Sequence, residues 1–169
     1  MAATPDKVDA VIAGWRAALP DLDPSALEVV GRVLVLAEHL QRTANAALAE
    51  HGLTLGEFDI LGTLRRRGEG GMTPTQLLRW VVLTSGGMTA RLDKLEQAGL
   101  IVRFADAGDR RKVVIELTAK GRRVIDAATA TRFEDAKASL PPLKANEMDT
   151  LAGLLRRWLA NVANNLSEH

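Results

Sequence analysis

The apolar period of this chain changes twice, and those two changes restrict its fold more than any other feature. Up to Gly99 hydrophobic residues recur every three or four positions; the runs LIVRF and KVVIEL then alternate with a period of two, and from Thr118 the helical spacing returns. Periods near 3.6 and 2 are those of amphipathic helices and half-buried strands. The two β-branched runs are joined by ADAGDRR, which reads as a hairpin with a basic tip. A lone hairpin cannot bury its own apolar face. The chain is therefore expected to be mainly α (α+β), with one small sheet packed on helices.

Start and stop signals place the helices. Residues 6–19 carry Val8, Val11, Ile12, Trp15 and Leu19 on one stripe, and Pro20 ends it. After PDLDP, the residues Leu27, Val30, Leu34, Ala37, Leu40, Ala44 and Leu48 share one face of a helix of about seven turns that runs to Gly52. In LTLGEF, Thr54 is placed as a cap, Glu57 at the third helical position, and Leu53 with Phe58 as a hydrophobic staple; the helix that follows reaches about Arg67, where RGEGGM ends it. Thr73, Pro74 and Gln76 repeat the start signal for a short helix ending near Val82. Thr84 or Ser85 is expected to cap the next, whose Met88, Leu92 and Leu95 face inward and which Gly99 stops. Two short helices across a tight turn, followed by a hairpin, make a winged helix-turn-helix. Thr118 opens a further helix to about Ser139, Pro141 and Pro142 break it, and Met148, Leu151, Leu155, Trp158, Leu159 and Val162 line a last one.

At 169 residues, 47% hydrophobic and 25% charged, the chain has the size and balance of one globular unit, 1–169. No apolar run exceeds about five residues, against the ~18 of a membrane span, and MAATPDKVDA has no secretory core. No membrane partner is expected, and the location expected is cytoplasmic. The absence of cysteine removes thiol nucleophiles, disulfides and thiolate metal sites. Tyrosine is also missing, and His39, His51 and His169 are scattered. GEGG at 68–71 is too short for a phosphate-binding loop and lacks its lysine. Neither an enzyme nor a cofactor nor a metal site is expected.

The net charge of +1 conceals a division. Residues 60–123 hold thirteen Lys/Arg against six Asp/Glu, a local +7, and the remainder carries −6. A basic centre between acidic ends points to a polyanion-binding face set in a scaffold with another task. In a winged helix-turn-helix the helix from Ser85 to Ala98 enters the major groove of double-stranded DNA by its N-terminal end. Ser85, Gly86 and Gly87 in its first turn are small enough for the backbone amides to approach a phosphate, and Thr84 just before them is a further DNA contact. Thr89 and Arg91 face outward toward base edges, and Lys94 lies further along, toward phosphate. Arg110, Arg111 and Lys112 at the hairpin tip are placed to reach the minor groove, with Asp109 orienting one arginine through a charge-assisted hydrogen bond.

The run DRRKVVIELTAKG resembles the D-x-R-x5-L-T-x2-G signature of MarR-family transcriptional regulators, through Asp109, Arg111, Leu117, Thr118 and Gly121. LTSGGMTARLDKLEQAGLI and LTLGEFDIL are similar to that family's recognition helix and second helix, and together the match spans roughly residues 27–166. The resemblance implies a homodimer in which residues 6–52 and 119–166 form a helical dimerisation layer and 53–118 the DNA-binding region. It further implies repression from a pseudo-palindromic operator, released by a small aromatic or anionic ligand. Lack of cysteine argues against thiol-based sensing. Trp15, Asp59, Arg91 and Arg103 are similar to residues of the family's urate-responsive branch, which implies an effector such as urate, held by an indole stack and two guanidinium groups. The alternative reading is a winged helix serving as a protein-interaction module, which would need neither the basic tip nor the small first turn of the recognition helix.

Overall fold

The computed structural model describes residues 4–67, 70–81, 87–105, 108–109 and 112–167, with side chains to Val162. Seven helices and one hairpin are found among them: α1 (Lys7–Ala18), α2 (Ser25–Leu48), α3 (Leu55–Arg67), α4 (Pro74–Leu78), α5 (Met88–Gln97), β1 (Ile101–Ala105), β2 (Val113–Leu117), α6 (Ala119–Ala138) and α7 (Ala145–Ser167). The two changes of period fall where the sheet begins and ends. The chain forms two compact units, residues 1–135 and 136–169; the second holds the last turn of α6, the Pro141–Pro142 link and α7.

Local chemistry sets most boundaries. Asp6 caps α1 in a capping box with Asp9, and Arg32 of α2 bridges both carboxylates at 2.8 and 2.6 Å. Of the α1 stripe Val8 and Ile12 are buried in the single chain, and Val11, Trp15 and Leu19 are exposed. After α2 a single 3-10 turn, Ala49–His51, leads to Gly52 at φ +68°. Thr54 and Glu57 close the expected box, with the Thr54 amide donating to Glu57 Oε2 at 2.7 Å. Thr73, Pro74 and Gln76 do the same for α4. That helix stops at Leu78, four residues before the expected end.

The core lies under α3, whose Ile60, Leu61 and Leu64 pack with Leu77, Leu92, Leu95, Ile101, Ile115 and Ile125. The hairpin pairs Ile101 with Leu117 through Ala105 with Val113, antiparallel. Met72 adds a third rung, exchanging hydrogen bonds with Ile115 at 3.0 and 2.9 Å. Thr118 then fastens sheet to helix: its hydroxyl donates to Gly99 O at 2.8 Å and accepts from the Gly121 amide at 2.9 Å, while its own amide donates to Leu100 O at 3.0 Å. A Cβ at Gly121 would overlap the Leu100 carbonyl oxygen. The L-T-x2-G spacing is thus the stitch that joins α5, β1 and α6.

Candidate nucleic-acid interface

Recognition helix α5 starts from Gly87, left-handed at φ +77°, whose carbonyl accepts from the Arg91 amide at 3.0 Å. Met88, Leu92 and Leu95 are buried, as the period requires, and Thr89 and Ala90 are exposed. Thr84, Ser85 and Gly86 lie outside the described residues, as do Arg110 and Arg111 of the wing.

The cations of this block are held by tertiary partners. Sequence spacing puts Lys94 toward phosphate; in the structure its Nζ stands 2.8 Å from Oε1 of Glu57, a carboxylate only 3% exposed on α3. Burial pushes the Glu57 carboxyl up, but the Lys94 ammonium with the Thr54 amide and hydroxyl outweighs it and holds the group below its usual range. Arg91 lies over the first turn of α3: a Cβ on Gly56 would come within 2.8 Å of its Nε. Arg103 of β1 donates to Asp93 Oδ1 at 2.7 Å and has its Nε 3.5 Å from Glu96 Oε2, so the hairpin is tied to the outer side of α5. Arg67 stacks on Trp80 with its guanidinium carbon 3.2 Å from the ring centroid.

At the wing, Asp109 meets Lys112: Nζ is 3.4 Å from Oδ2, and the Lys112 amide donates to Asp109 O at 2.8 Å. Sequence reasoning gave Asp109 to one of the wing arginines, both of which lie outside the described residues; among those described, Lys112 is a partner.

Three of the four residues read as ligand contacts line different clefts. Trp15, 50% exposed, walls an apolar cleft of about 340 Å³ with Leu19, Leu22 and Leu27. Arg91 lines a second, of about 460 Å³, with Gln41, Asn45 and Glu57. Arg103 lines a third, of about 500 Å³, with Pro74, Met88, Thr89 and Leu92. Asp59 is buried on α3, 3.9 Å from Arg66 Nη2. Among the described residues no cluster of three or more His, Cys, Asp or Glu is placed to hold a metal, and no helix is long and apolar enough to cross a membrane.

Two contributors were missed from the sequence. Glu57 was read only as a cap, because its pairing with Lys94 spans 37 positions and leaves no local trace. Arg79 was counted among the bases but not placed, although Thr75, Gln76 and Arg79 share the exposed side of α4 at i, i+1 and i+4.

Comparison with known proteins agrees with this architecture. The MarR family profile matches residues 51–112. The chain is 34% identical over 160 residues to the HTH-type transcriptional regulator PecS of Dickeya dadantii, covering 94% of this chain and 96% of that one. Among solved structures, a variant of MarR from E. coli complexed with operator DNA superposes with a TM-score of 0.69 at 23% identity, covering 86% of this chain and 97% of the other. BpsR of Bordetella bronchiseptica, whose DNA binding is regulated by 6-hydroxynicotinic acid, superposes at 0.70 and 19% identity, covering 77% and 91%.

Proposed function

Because the chain belongs to the MarR family of transcriptional regulators, we propose that it acts as a ligand-released repressor that binds a pseudo-palindromic operator as a homodimer. The supporting observation is how α5 is held. Its inner side is sunk in the core, Lys94 ties it to α3 and Arg103 ties it to the hairpin, while Thr89 at its N-terminal end stays open. A helix fixed on three sides with one open end suits rigid insertion into a major groove. Thr84, Ser85, Gly86, Thr89 and Arg91 are the proposed contacts in the groove, and Arg110, Arg111 and Lys112 those of the wing.

Residues 6–52 and 119–166 are proposed as the dimer layer. Leu27, Leu34 and Leu40 on α2 are exposed in the single chain, and so are Leu151, Leu155, Trp158 and Val162 on α7; each helix leaves an apolar face that a second copy would cover.

The effector proposed is a small planar anion. The Arg103 cleft offers a guanidinium beside Met88 and Leu92, where a ligand would compete with the Asp93 hydrogen bond and the Glu96 ion pair that tie α5 to the hairpin. BpsR, similar in fold, answers to a heteroaromatic acid. Urate is the narrower proposal, since it would have to draw on Trp15, Asp59 and Arg91 as well.

Titrating the protein into duplex DNA from upstream of its own gene, across salt concentrations, tests the regulator reading. A sequence-specific complex with a steep salt slope is expected; no complex, or a flat slope, refutes it and favours a protein-interaction module. A thermal-shift series with urate, xanthine and salicylate tests the effector. A response to salicylate alone removes urate, and no response to any of the three removes the planar-anion reading.

A further inference from the structure

If α5 is the groove-reading element, its own cations are poorly placed to grip the DNA backbone: Arg91 is laid over Gly56 and Lys94 is joined to Glu57. The open cations lie elsewhere. Arg79, the C-cap just past α4, is exposed and has no ion pair among the described residues. Lys112, with a side chain 62% exposed, has a long 3.4 Å contact to Asp109. The two line one cleft of about 610 Å³ between α4 and the base of the wing.

Thr75 and Gln76 share that cleft. The Gln76 carbonyl is used in the cap, accepting from Thr73 N at 2.8 Å, which turns its NH2 outward as a donor. Pro74 and Val113 form a ridge common to this cleft and to the one lined by Gly87 and Thr89, so the surface runs without a break to the start of the recognition helix. Two cations, a hydroxyl and an amide lining one cleft suit a phosphodiester, whose unesterified oxygens accept several hydrogen bonds at once.

We propose that this cleft seats a backbone phosphate of the duplex whose groove Thr89 enters, gripped by Arg79 and Lys112, and that Lys94 is a positioning residue rather than a phosphate contact. The proposal rests on the DNA-binding reading above. An acidic protein segment would suit the same cations but not the shared ridge with the groove-facing helix, so DNA is the favoured occupant.

The test is a salt titration on two duplexes of equal length, one from upstream of the gene and one scrambled. Arg79→Gln should lower the slope of log K against log salt by about one per protomer. It should weaken both duplexes alike, about fivefold per lost contact near ~0.15 M salt, because each released counterion contributes to the power ~0.9. The double variant Glu57→Gln/Lys94→Met removes both charges of the buried pair together. It should keep the wild-type slope while weakening the upstream duplex more than the scrambled one. An unchanged slope for Arg79→Gln, or loss confined to the upstream duplex, overturns the phosphate seat and leaves the regulator reading standing. A slope lowered by the double variant overturns the positioning role of Lys94. Wild-type protein that binds neither duplex overturns both the seat and the regulator reading.

Discussion

Replacing Lys94 by methionine isolates the contact that joins the recognition helix to α3. Methionine keeps most of the aliphatic stem and removes the ammonium 2.8 Å from Glu57 Oε1. What remains is a carboxylate 3% exposed, still accepting from the Thr54 amide at 2.7 Å but without its cation. Breaking a fully buried pair in this way costs ~3–5 kcal/mol. The Lys94 side chain is 60% exposed, so water screens the pair from that side and can reach the orphaned oxygen. The expected loss is therefore about 2 kcal/mol, or roughly 4–8 °C in Tm for a chain of this size. The pH dependence has a definite sign. The folded carboxyl is held below its ordinary value, so the pair stabilises the fold at neutral pH, and that stability is lost as pH falls through the depressed value. A protonated Glu57 needs no cation. The gap between wild type and Lys94→Met should therefore be widest above ~pH 5 and close on acidification toward the carboxylate range. Glu57→Gln added to Lys94→Met should recover most of the loss. Urea unfolding followed by circular dichroism at several pH values, at one protein concentration because a dimer's stability depends on it, measures all three. A single variant within ~0.5 kcal/mol of wild type, a pH-independent gap, or a double variant no better than the single would refute the account.

Other contacts give shorter tests. Gly121→Ala should destabilise by more than ~2 kcal/mol, because the added Cβ meets the Leu100 carbonyl oxygen and the backbone stitch at Thr118 must open; a wild-type melting temperature would contradict this. Arg65→Ala should cost under ~1 kcal/mol, since its 2.8 Å pair with Asp126 is about half exposed on both sides, and a larger loss in thermal unfolding would mean the pair has a further role. Trp158→Ala should shift the proposed dimer toward monomer by light scattering, and a dimer that persists on dilution like wild type would remove Trp158 from the interface. Arg67→Met should change Trp80 emission, identified by its absence from Trp80→Phe, through loss of the guanidinium stacked on the indole; an unchanged spectrum would argue against that stack in solution.

Much of the fold was legible because its signals are local. Capping boxes at Thr54 and Thr73, glycines at 52 and 99 and the period of two at 101–105 and 113–117 each depend on neighbours within a few residues. Where distant groups decide, sequence reasoning failed in a consistent direction. It extended α4 to Val82, because Val81 and Val82 continue an apolar pattern that cannot reveal where the helix leaves the core. It did not divide the α1 stripe, of which Val8 and Ile12 are buried and Val11, Trp15 and Leu19 are exposed. It also left the acid beside Lys94 unseen, because helical phase gives a residue's direction but not which chain lies there.

The charge arithmetic shows how far that last error reaches. The +7 of residues 60–123 was read as the strength of a DNA-binding surface, yet the window ends just short of three acids that the fold brings against it: Glu57 to Lys94, Asp59 toward Arg66, and Asp126 to Arg65. Widening the window to 57–126 adds those three acids and no base, which leaves +4. Inside it, Asp93 and Glu96 further engage Arg103. Such pairs add little at long range, because opposite charges a few ångströms apart cancel beyond a Debye length of ~8–10 Å. The attraction a polyanion meets then depends less on the number of basic residues than on which lack an internal acid. Arg79 is such a residue among those described, and it stands on the helix before the recognition helix, not on it. If that is right, α5 supplies shape and the flanking α4–wing cleft supplies charge, and neutralising Arg79 should change the salt dependence of binding more than neutralising Lys94.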